Sequence, residues 1–354
     1  DQLMSMGAYS LTPNFKDLTT SISLAGNPEV IVYREYEEGI LMHSLMSFQN
    51  TEAEGSSPSR SLVESYLSAN GLPIHQAENT MYKGDKWFFD EFADRDPRLY
   101  DNIDKEGLRL EGSVAVYAAT GYFAHLFVNP DLKTVPGGMS STNITDAPVM
   151  KLNEVMMNYI EAAAELADMG QYNLTQGDFD KTINALRNRP STSMPAVTLA
   201  GSNLAVNGVT INDPDRDKGQ MKSGDYEVSP ILWEVRRERR TELPYQGIRF
   251  NDLRRWGKLH YADMKVNPKL NLGAWLDKDA YVAWYNEQNG TSLTVEDLKG
   301  IHLDREGNAG YIVPAIDASL LRTCEDKHYL YPIPSQEIAL YQSNGYTLSQ
   351  NPGW

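Results

Sequence analysis

The feature that most constrains this chain is a block of positive charge at residues 229–259, which reads SPILWEVRRERRTELPYQGIRFNDLRRWGKL. The block holds seven arginines and one lysine against four acidic residues, in a chain whose formal net charge is −16. Ser229 is a favourable N-cap and Pro230 suits the first helical position, so we expect a helix to begin there. Pro244 forbids a further turn and should end it.

The acidic residues of this predicted helix recur at every fourth position and therefore share one edge: Glu234, Glu238 and Glu242. Carboxylates stacked in this way repel one another unless cations lie opposite. We expect the segment after the turn at residues 246–247 to supply these cations: Arg249, Arg254 and Arg255. Apolar residues at three-residue spacing predict a short second helix with Gly257 as its C-cap: Phe250, Leu253 and Trp256.

Two functional interpretations of this block compete with a structural one. An arginine-rich helix can bind nucleic acid, but such a helix normally belongs to a basic domain, and the pI of this chain is about 4.8. Paired glutamate and arginine can also be catalytic, yet interleaved opposite charges on adjoining helices more often form a structural ion-pair network. We therefore interpret the block as a clamp between two helices.

The block also resembles the signature of the SusD/RagB family, the surface nutrient-binding lipoproteins of Bacteroidetes glycan-uptake systems. The residues that carry this resemblance are Glu238, Arg239, Glu242, Leu243, Gly247, Arg249, Asp252, Leu253, Arg255 and Trp256. The resemblance is specific because several spacings agree at once. Gln246 is a small departure, since the family often has glutamate at this place.

Other segments are similar to further parts of the family: 9–20, 27–36, 58–74, 95–99, 151–166, 183–190, 329–342 and 350–354. Family members begin with a lipoprotein signal, a lipid-modified cysteine and further helical repeats. The first ten residues here, DQLMSMGAYS, have neither the basic nor the apolar part of a signal peptide. We therefore expect this chain to be the middle and C-terminal part of such a protein.

The resemblance implies a mainly α fold, a TPR-like helical scaffold with long irregular loops and few short strands. It further implies a non-enzymatic, SusD-like glycan-binding protein that captures oligosaccharide or polysaccharide and delivers it to a SusC-like TonB-dependent transporter. Such a protein lies on the surface of the outer membrane and is lipid-anchored, here through an N-terminal part absent from this chain. We expect no cofactor, no bound metal and no nucleic-acid partner.

The character of the sequence changes near residue 150. Residues 1–150 are rich in Gly, Ser, Pro and aromatic residues, so we expect a loop-rich region whose loops face the ligand. Residues 151–354 are expected to hold a helical pair at 151–190, the signature helices at 229–259 and C-terminal loops. The pair should turn through Gly170. Residues 277–288 predict one more helix, which Gly290 should end.

Catalytic and nucleotide-binding motifs are absent from the sequence: GxxxxGK[ST], GxGxxG, HExxH, CxxC and GxSxG. Asp213, Asp215 and Asp217 alternate like the opening of a calcium loop. However, Lys218 stands where an EF-hand needs glycine, and Gly224 stands where it needs its bidentate glutamate. We interpret these aspartates as turn residues and leave a calcium site of another kind open.

The stronger functional signal is aromatic, because sugars stack their apolar faces on flat rings and hydrogen-bond their hydroxyls to polar side chains. The binding residues that we single out fall in two clusters, Tyr82, Trp87 and Phe89 in the first and Trp275 and Trp284 in the second. Trp87 ranks first, because its cluster lies in a loop where three consecutive rings cannot all point inward. The helical spacing around Trp284 is more often that of core residues.

Two functions of other classes stay open. The chain is also compatible with a helical-repeat protein that binds a peptide or a protein partner. A glycoside hydrolase needs only two carboxylates at a suitable separation, and acid pairs are abundant here, but no motif supports this function.

Overall fold

The computed structural model describes residues 1–51, 57–217, 226–314 and 321–354. Its α-helices are α1 (Gln2–Ser5), α2 (Asp17–Thr20), α3 (Arg60–Ser65), α4 (Phe88–Phe92), α5 (Pro97–Asn102), α6 (Leu152–Asp168), α7 (Gln176–Asp180), α8 (Ile183–Arg187), α9 (Pro230–Glu242), α10 (Arg249–Arg255), α11 (Lys278–Asn289) and α12 (Ser335–Ser343). Its β-strands are β1 (Val30–Arg34), β2 (Ala147–Lys151), β3 (Thr198–Ala200), β4 (Asn203–Val206), β5 (Val209–Thr210), β6 (Trp275–Asp277) and β7 (Ala309–Tyr311). The protein is therefore mainly helical, with short strands and long connecting loops.

The signature helix α9 begins as the sequence predicts. The backbone N–H of Leu232 donates to the Ser229 side chain at 3.3 Å, and Pro230 occupies the first helical position. Helix α10 follows after the turn and ends at Arg255 with Trp256 as its C-cap residue. The predicted C-cap Gly257 comes one position later, and its φ of +68° lies in the left-handed region that favours glycine. One detail differs, because Phe250 is 50% exposed although its spacing placed it on the buried face.

The predicted helical pair at 151–190 consists of one long helix followed by two short ones. Helix α6 is 17 residues long, but the segment that packs back along it is divided into α7 and α8. The break lies at Thr182, whose hydroxyl donates to the carbonyl oxygen of Asp178 at 2.5 Å. A threonine that bonds back to the preceding turn competes with helical backbone geometry, and the chain leaves the helix there.

The two largest hydrophobic cores among the described residues organise the molecule. The first packs α6, α7, α8 and α9 against the meander β3-β4-β5. Its innermost members are at most 1% exposed and include Met157, Ile160, Phe179, Leu186 and Val235. The second core joins α3, α4, α5, α11 and β6.

Strand pairing connects parts of the chain that are distant in sequence. Strand β1 is antiparallel to β2, with Val30 opposite Lys151, so the beginning of the chain is paired with the entry to α6. Strand β6 is antiparallel to β7, with Trp275 opposite Tyr311. The second pairing fixes the position of Trp275 beside the second core.

Candidate functional site: an aromatic crevice beside a buried ion network

Glu238 and Glu242 on the acidic edge of α9 are neutralised by arginines from other parts of the chain, whereas Glu234 pairs with Arg237 on α9 itself at 3.0 Å. Glu238 contacts Arg98 at 2.7 Å and Arg187 at 2.8 Å. Glu242 contacts Arg98 at 2.9 Å and Arg189 at 3.0 Å. These side chains are at most 2% exposed, so the network belongs to the interior.

The network changes the acidity of Glu238. Burial alone would raise the pKa of this carboxyl, but the positive charges of Arg187 and Arg98 outweigh burial and lower its pKa to about 2. The ionised form is therefore strongly favoured in the folded protein.

The expectation that Arg249, Arg254 and Arg255 face the acidic edge is wrong. Arg255 contacts Glu161 and Asp252, and Arg254 lies over the ring of Tyr331 at 4.3 Å. Helical periodicity identifies residues on one edge of α9 but not the element that packs opposite. The cations come from two places outside the block: Arg98 lies on α5, Arg187 lies on α8, and Arg189 follows α8.

Other residues of the signature also make structural contacts. The indole N–H of Trp256 donates to Glu161 at 2.5 Å. Arg239 donates to Asp252 at 2.8 Å and to Asn158 at 2.7 Å. These contacts tie α9 and α10 to α6, as a clamp between helices would.

Four of the five candidate rings meet at one crevice, although the sequence places them in two distant clusters. Trp87 precedes α4 as its N-cap residue, Phe89 lies on α4, Trp275 lies on β6 and Trp284 lies on α11. The ring centroids of Trp87 and Trp284 are 6.1 Å apart, and those of Phe89 and Trp284 are 5.2 Å apart. Edge-to-face and tilted contacts at this range are the favoured aromatic arrangements.

The second core holds these elements in place. Phe88 and Tyr281, on the inner sides of α4 and α11, are 5% and 2% exposed. Trp87, Phe89 and Trp284 are half-buried beside them, so each ring packs on one side and keeps part of its surface in solvent. The rings therefore contribute to the core, and their role as a ligand platform stays a prediction.

Charged and hydroxyl groups surround the crevice. The Lys86 ammonium lies 3.6 Å from the ring centroid of Trp275 and donates to the Tyr311 hydroxyl at 2.9 Å. Burial would raise the pKa of the Asp85 carboxyl, but the hydrogen bond from Tyr311 and the positive charge of Arg60 outweigh burial and lower this pKa. Lys86 therefore covers part of Trp275, the ring that β6 contributes to the crevice.

The crevice is shallow. Its volume is about 10 Å³, roughly the space of one water molecule. A ligand would have to lie across the rings and could not enter between them. Flat stacking on a ring surface is the geometry in which a sugar offers its apolar face.

Tyr82 does not reach the crevice. Its ring contacts His75 with centroids 5.9 Å apart and lies 5.4 Å from the Arg95 guanidinium carbon. Its hydroxyl is buried and has no hydrogen-bond partner among the residues that the structure describes. Burial raises the pKa of Tyr82.

The three alternating aspartates take separate partners. Asp213 accepts hydrogen bonds from Trp233 and Arg237, Asp215 contacts His75, and Asp217 accepts from Tyr261. Within the described ranges, no group of three metal-ligating side chains comes together. Lys218 and Gly224 lie outside the described residues.

Sequence reasoning missed a larger concave surface beside α10. A cavity of about 470 Å³ adjoins an apolar groove of about 550 Å³, and both are lined by Arg249, Phe250 and Arg322. The groove carries the exposed rings of Tyr331 and Trp354, which are 58% and 45% exposed. The surplus of arginine over acid in residues 229–259 was the one signal that could have indicated it.

A mainly helical scaffold, a buried ion network and an aromatic crevice together characterise a protein of the helical-scaffold class. Residues 45–354 match the profile of the SusD family, and the chain belongs to that family. No curated protein sequence matches the chain. In the parts that the structure describes, no helix is both long enough and apolar enough to cross a membrane.

Two solved structures from Bacteroides fragilis share the fold. A SusD-like carbohydrate-binding protein is 23% identical with a TM-score of 0.62, and the match covers 95% of this chain and 58% of that protein. A second SusD-like protein is 19% identical with a TM-score of 0.57, and the match covers 100% of this chain and 60% of that protein. This chain therefore spans less than two thirds of the length of either relative. The predicted family and the predicted TPR-like helical fold are confirmed.

Proposed function

We propose that this protein binds glycans across the aromatic crevice and breaks no bond in them. The observation that carries this proposal is the convergence of Trp87, Phe89 and Trp284 beside charged and hydroxyl side chains. Rings supply stacking surface, and Lys86 and Tyr311 supply hydrogen-bonding groups for sugar hydroxyls. A structural relative described as carbohydrate-binding supports the same function.

We further propose that the protein works at the outer-membrane surface and passes the captured glycan to a SusC-like TonB-dependent transporter. Membership of the SusD family supports this role. Co-purification with a transporter of that class would test the partnership directly.

The aromatic crevice leads to a first prediction. Trp87→Ala should weaken glycan binding by about 1 to 3 kcal/mol, the usual scale for losing an aromatic anchor. Calorimetry or affinity electrophoresis against a panel of polysaccharides would measure the loss. Trp87→Phe should retain part of the affinity, because a smaller ring still offers a stacking face.

A matched control is Tyr346→Ala, which removes a ring that is 68% exposed and lies outside the crevice. It should leave glycan affinity unchanged, and thermal melting should show that each variant is folded. Unchanged affinity in a folded Trp87→Ala protein would remove Trp87 from the site. Binding of peptides with no response to any glycan, or steady release of new reducing ends, would contradict the proposed function itself.

A further inference from the structure

The cavity of about 470 Å³ lies between α3 and the connection from α9 to α10. Its polar lining includes Ser61, Arg239, Arg240, Arg249, Asn271 and Arg322. This volume is within the range of pockets that hold small ligands, and it is far larger than the space in the aromatic crevice. The cavity shares no lining residue with that crevice.

The lining is strongly cationic in a protein of net charge −16. Four of the lining residues are arginines, and Asp252 is the one acidic residue among them. Asp252 is already engaged by Arg239 and Arg255, each at 2.8 Å. Among the described residues, neither Arg240 nor Arg249 forms an ion pair with Asp252 or with any other carboxylate.

Arg240 and Arg249 differ in this respect from the arginines of the buried network. Arg240 donates to the Ser61 hydroxyl at 3.1 Å and contacts no carboxylate of the described chain. Arg249 makes no hydrogen bond or ion pair with any described residue, and its guanidinium carbon lies 5.4 Å from the ring centroid of Trp256. Both guanidinium groups thus keep free donors at the cavity wall.

The environment of these two arginines disfavours their charge. Burial and the neighbouring charge of Arg249 lower the pKa of Arg240 to about 9. Burial lowers the pKa of Arg249 to about 10, although Asp252 acts in the opposite direction. An anion placed between the two guanidinium groups would relieve this cost and satisfy their donors.

Further unused polar groups belong to the same lining. The Tyr245 hydroxyl and the Asn271 side-chain nitrogen are buried, and neither has a hydrogen-bond partner among the described residues. Tyr245 also holds a φ of +59°, which is unfavourable for a residue with a Cβ. Unsatisfied donors next to unpaired cations are expected where a ligand supplies the missing acceptors.

We propose that this cavity binds the anionic group, a carboxylate or a sulfate, of an acidic saccharide. Arg240 and Arg249 would hold the oxyanion, since guanidinium groups match its planar or tetrahedral oxygens with paired N–H donors. The adjoining groove offers exposed rings for the sugar, from Phe250, Tyr331 and Trp354. This combination favours a saccharide over a free inorganic anion, and the inference rests on the proposed glycan-binding function.

The test compares charged polysaccharides with neutral forms of the same chain. Polygalacturonate and alginate would be paired with their carboxyl-reduced forms, and chondroitin sulfate and carrageenan with their desulfated forms. We expect at least one charged member to bind tenfold or more tightly than its neutral form, and its affinity to fall as salt rises. The carboxylated and sulfated pairs distinguish the two anions.

The variants Arg240→Gln and Arg249→Gln should each abolish the preference for the charged form. Neither substitution removes an ion pair with a described residue, so both variants should have the melting temperature of the unaltered protein. Arg34→Gln is the matched control, because it removes one charge from an exposed position on β1 that lines neither cavity nor groove. It should leave the preference intact.

The inference is overturned if no charged polysaccharide is preferred, or if the preference survives in both variants. It is also overturned if sodium sulfate alone binds in an Arg249-dependent manner while no saccharide shows a charge preference. Neutral glycan binding that depends on Trp87 but not on Arg240 or Arg249 would leave the proposed function standing without this site. Failure of every glycan to bind would contradict both.

Discussion

Single residues decide how the interior tolerates so much charge. Arg98 contacts Asp96, Glu238 and Glu242, and Arg189 joins Glu242 to Glu29, all at 2.7 to 3.0 Å and without solvent exposure above 1%. Buried ions are tolerated only when their partners are complete. Each member of this network is therefore needed for the others.

Glu242→Gln should destabilise the fold by about 3 to 5 kcal/mol, because Arg98 and Arg189 would lose part of their compensation in the interior. Urea unfolding followed by circular dichroism would measure the change. Glu296→Gln is the control, since Glu296 pairs with Lys299 where both side chains are more than 70% exposed, and such pairs contribute at most about 1 kcal/mol. Equal stability of the two variants would refute the structural role of the network, and glycan affinity of the folded Glu242 variant should be retained.

Residue types could be predicted from the sequence, but their partners could not. The acidic edge of α9 and the need for opposing cations followed from helical spacing alone. Arg98, Arg187 and Arg189 could not be assigned as those cations, because tertiary packing brings them there from distant segments. Arg249 was expected to be one of those cations because it belongs to the signature, yet it forms no ion pair with a described residue.

At the scale of elements, capping residues were the most informative signals. Ser229 and Pro230 begin α9, and Asp277 and Gly290 bound α11, where Asp277 accepts from the Ala280 N–H at 3.0 Å. These signals are local, so they could be read from sequence. The break at Thr182 was missed because a threonine is compatible with a helix interior until its hydroxyl bonds to the preceding turn.

Ser229→Ala should destabilise the protein by about 1 kcal/mol, because it removes the side-chain acceptor for the Leu232 N–H at the start of α9. The shift in the urea midpoint, at an unchanged slope, would report it. Ser335→Ala is a suitable comparison, since Ser335 is exposed at the start of α12 and is expected to change stability little. If the urea midpoint of Ser229→Ala equals that of the unaltered protein, the cap contributes nothing to stability.

At the scale of the whole molecule, the class of fold was predictable, whereas the assembly of the sites was only partly so. The two aromatic clusters were identified separately, and their meeting depends on the long-range packing of α4 against α11 and β6. Tyr82 lies in the same sequence cluster as Trp87 but points into a different environment. The surplus of arginine in residues 229–259 hinted at the arginine-lined cavity, but its position could not be predicted, because it depends on which charges remain after the others have paired.

The loss of folding stability at acid pH is also a property of the whole molecule. In the folded protein the pKa of Glu238 is lowered from an ordinary 4.5 to about 2. A carboxyl with a lowered pKa contributes stability that is present above pH 4.5 and is lost as pH falls towards 2. The melting temperature should therefore drop across this interval, and it should drop less in Glu238→Gln than in Glu296→Gln. Parallel curves for the two variants would show that another group governs acid unfolding.

The buried ion network also limits how members of this family can exchange sequence. Arg98 lies before residue 150, while Glu238 and Glu242 lie far beyond it. A chimera that joined residues 1–150 of one relative to the remainder of another would have to match these charges. Recombination within the family is thus constrained less by the loops that meet the ligand than by a few ions that never contact it.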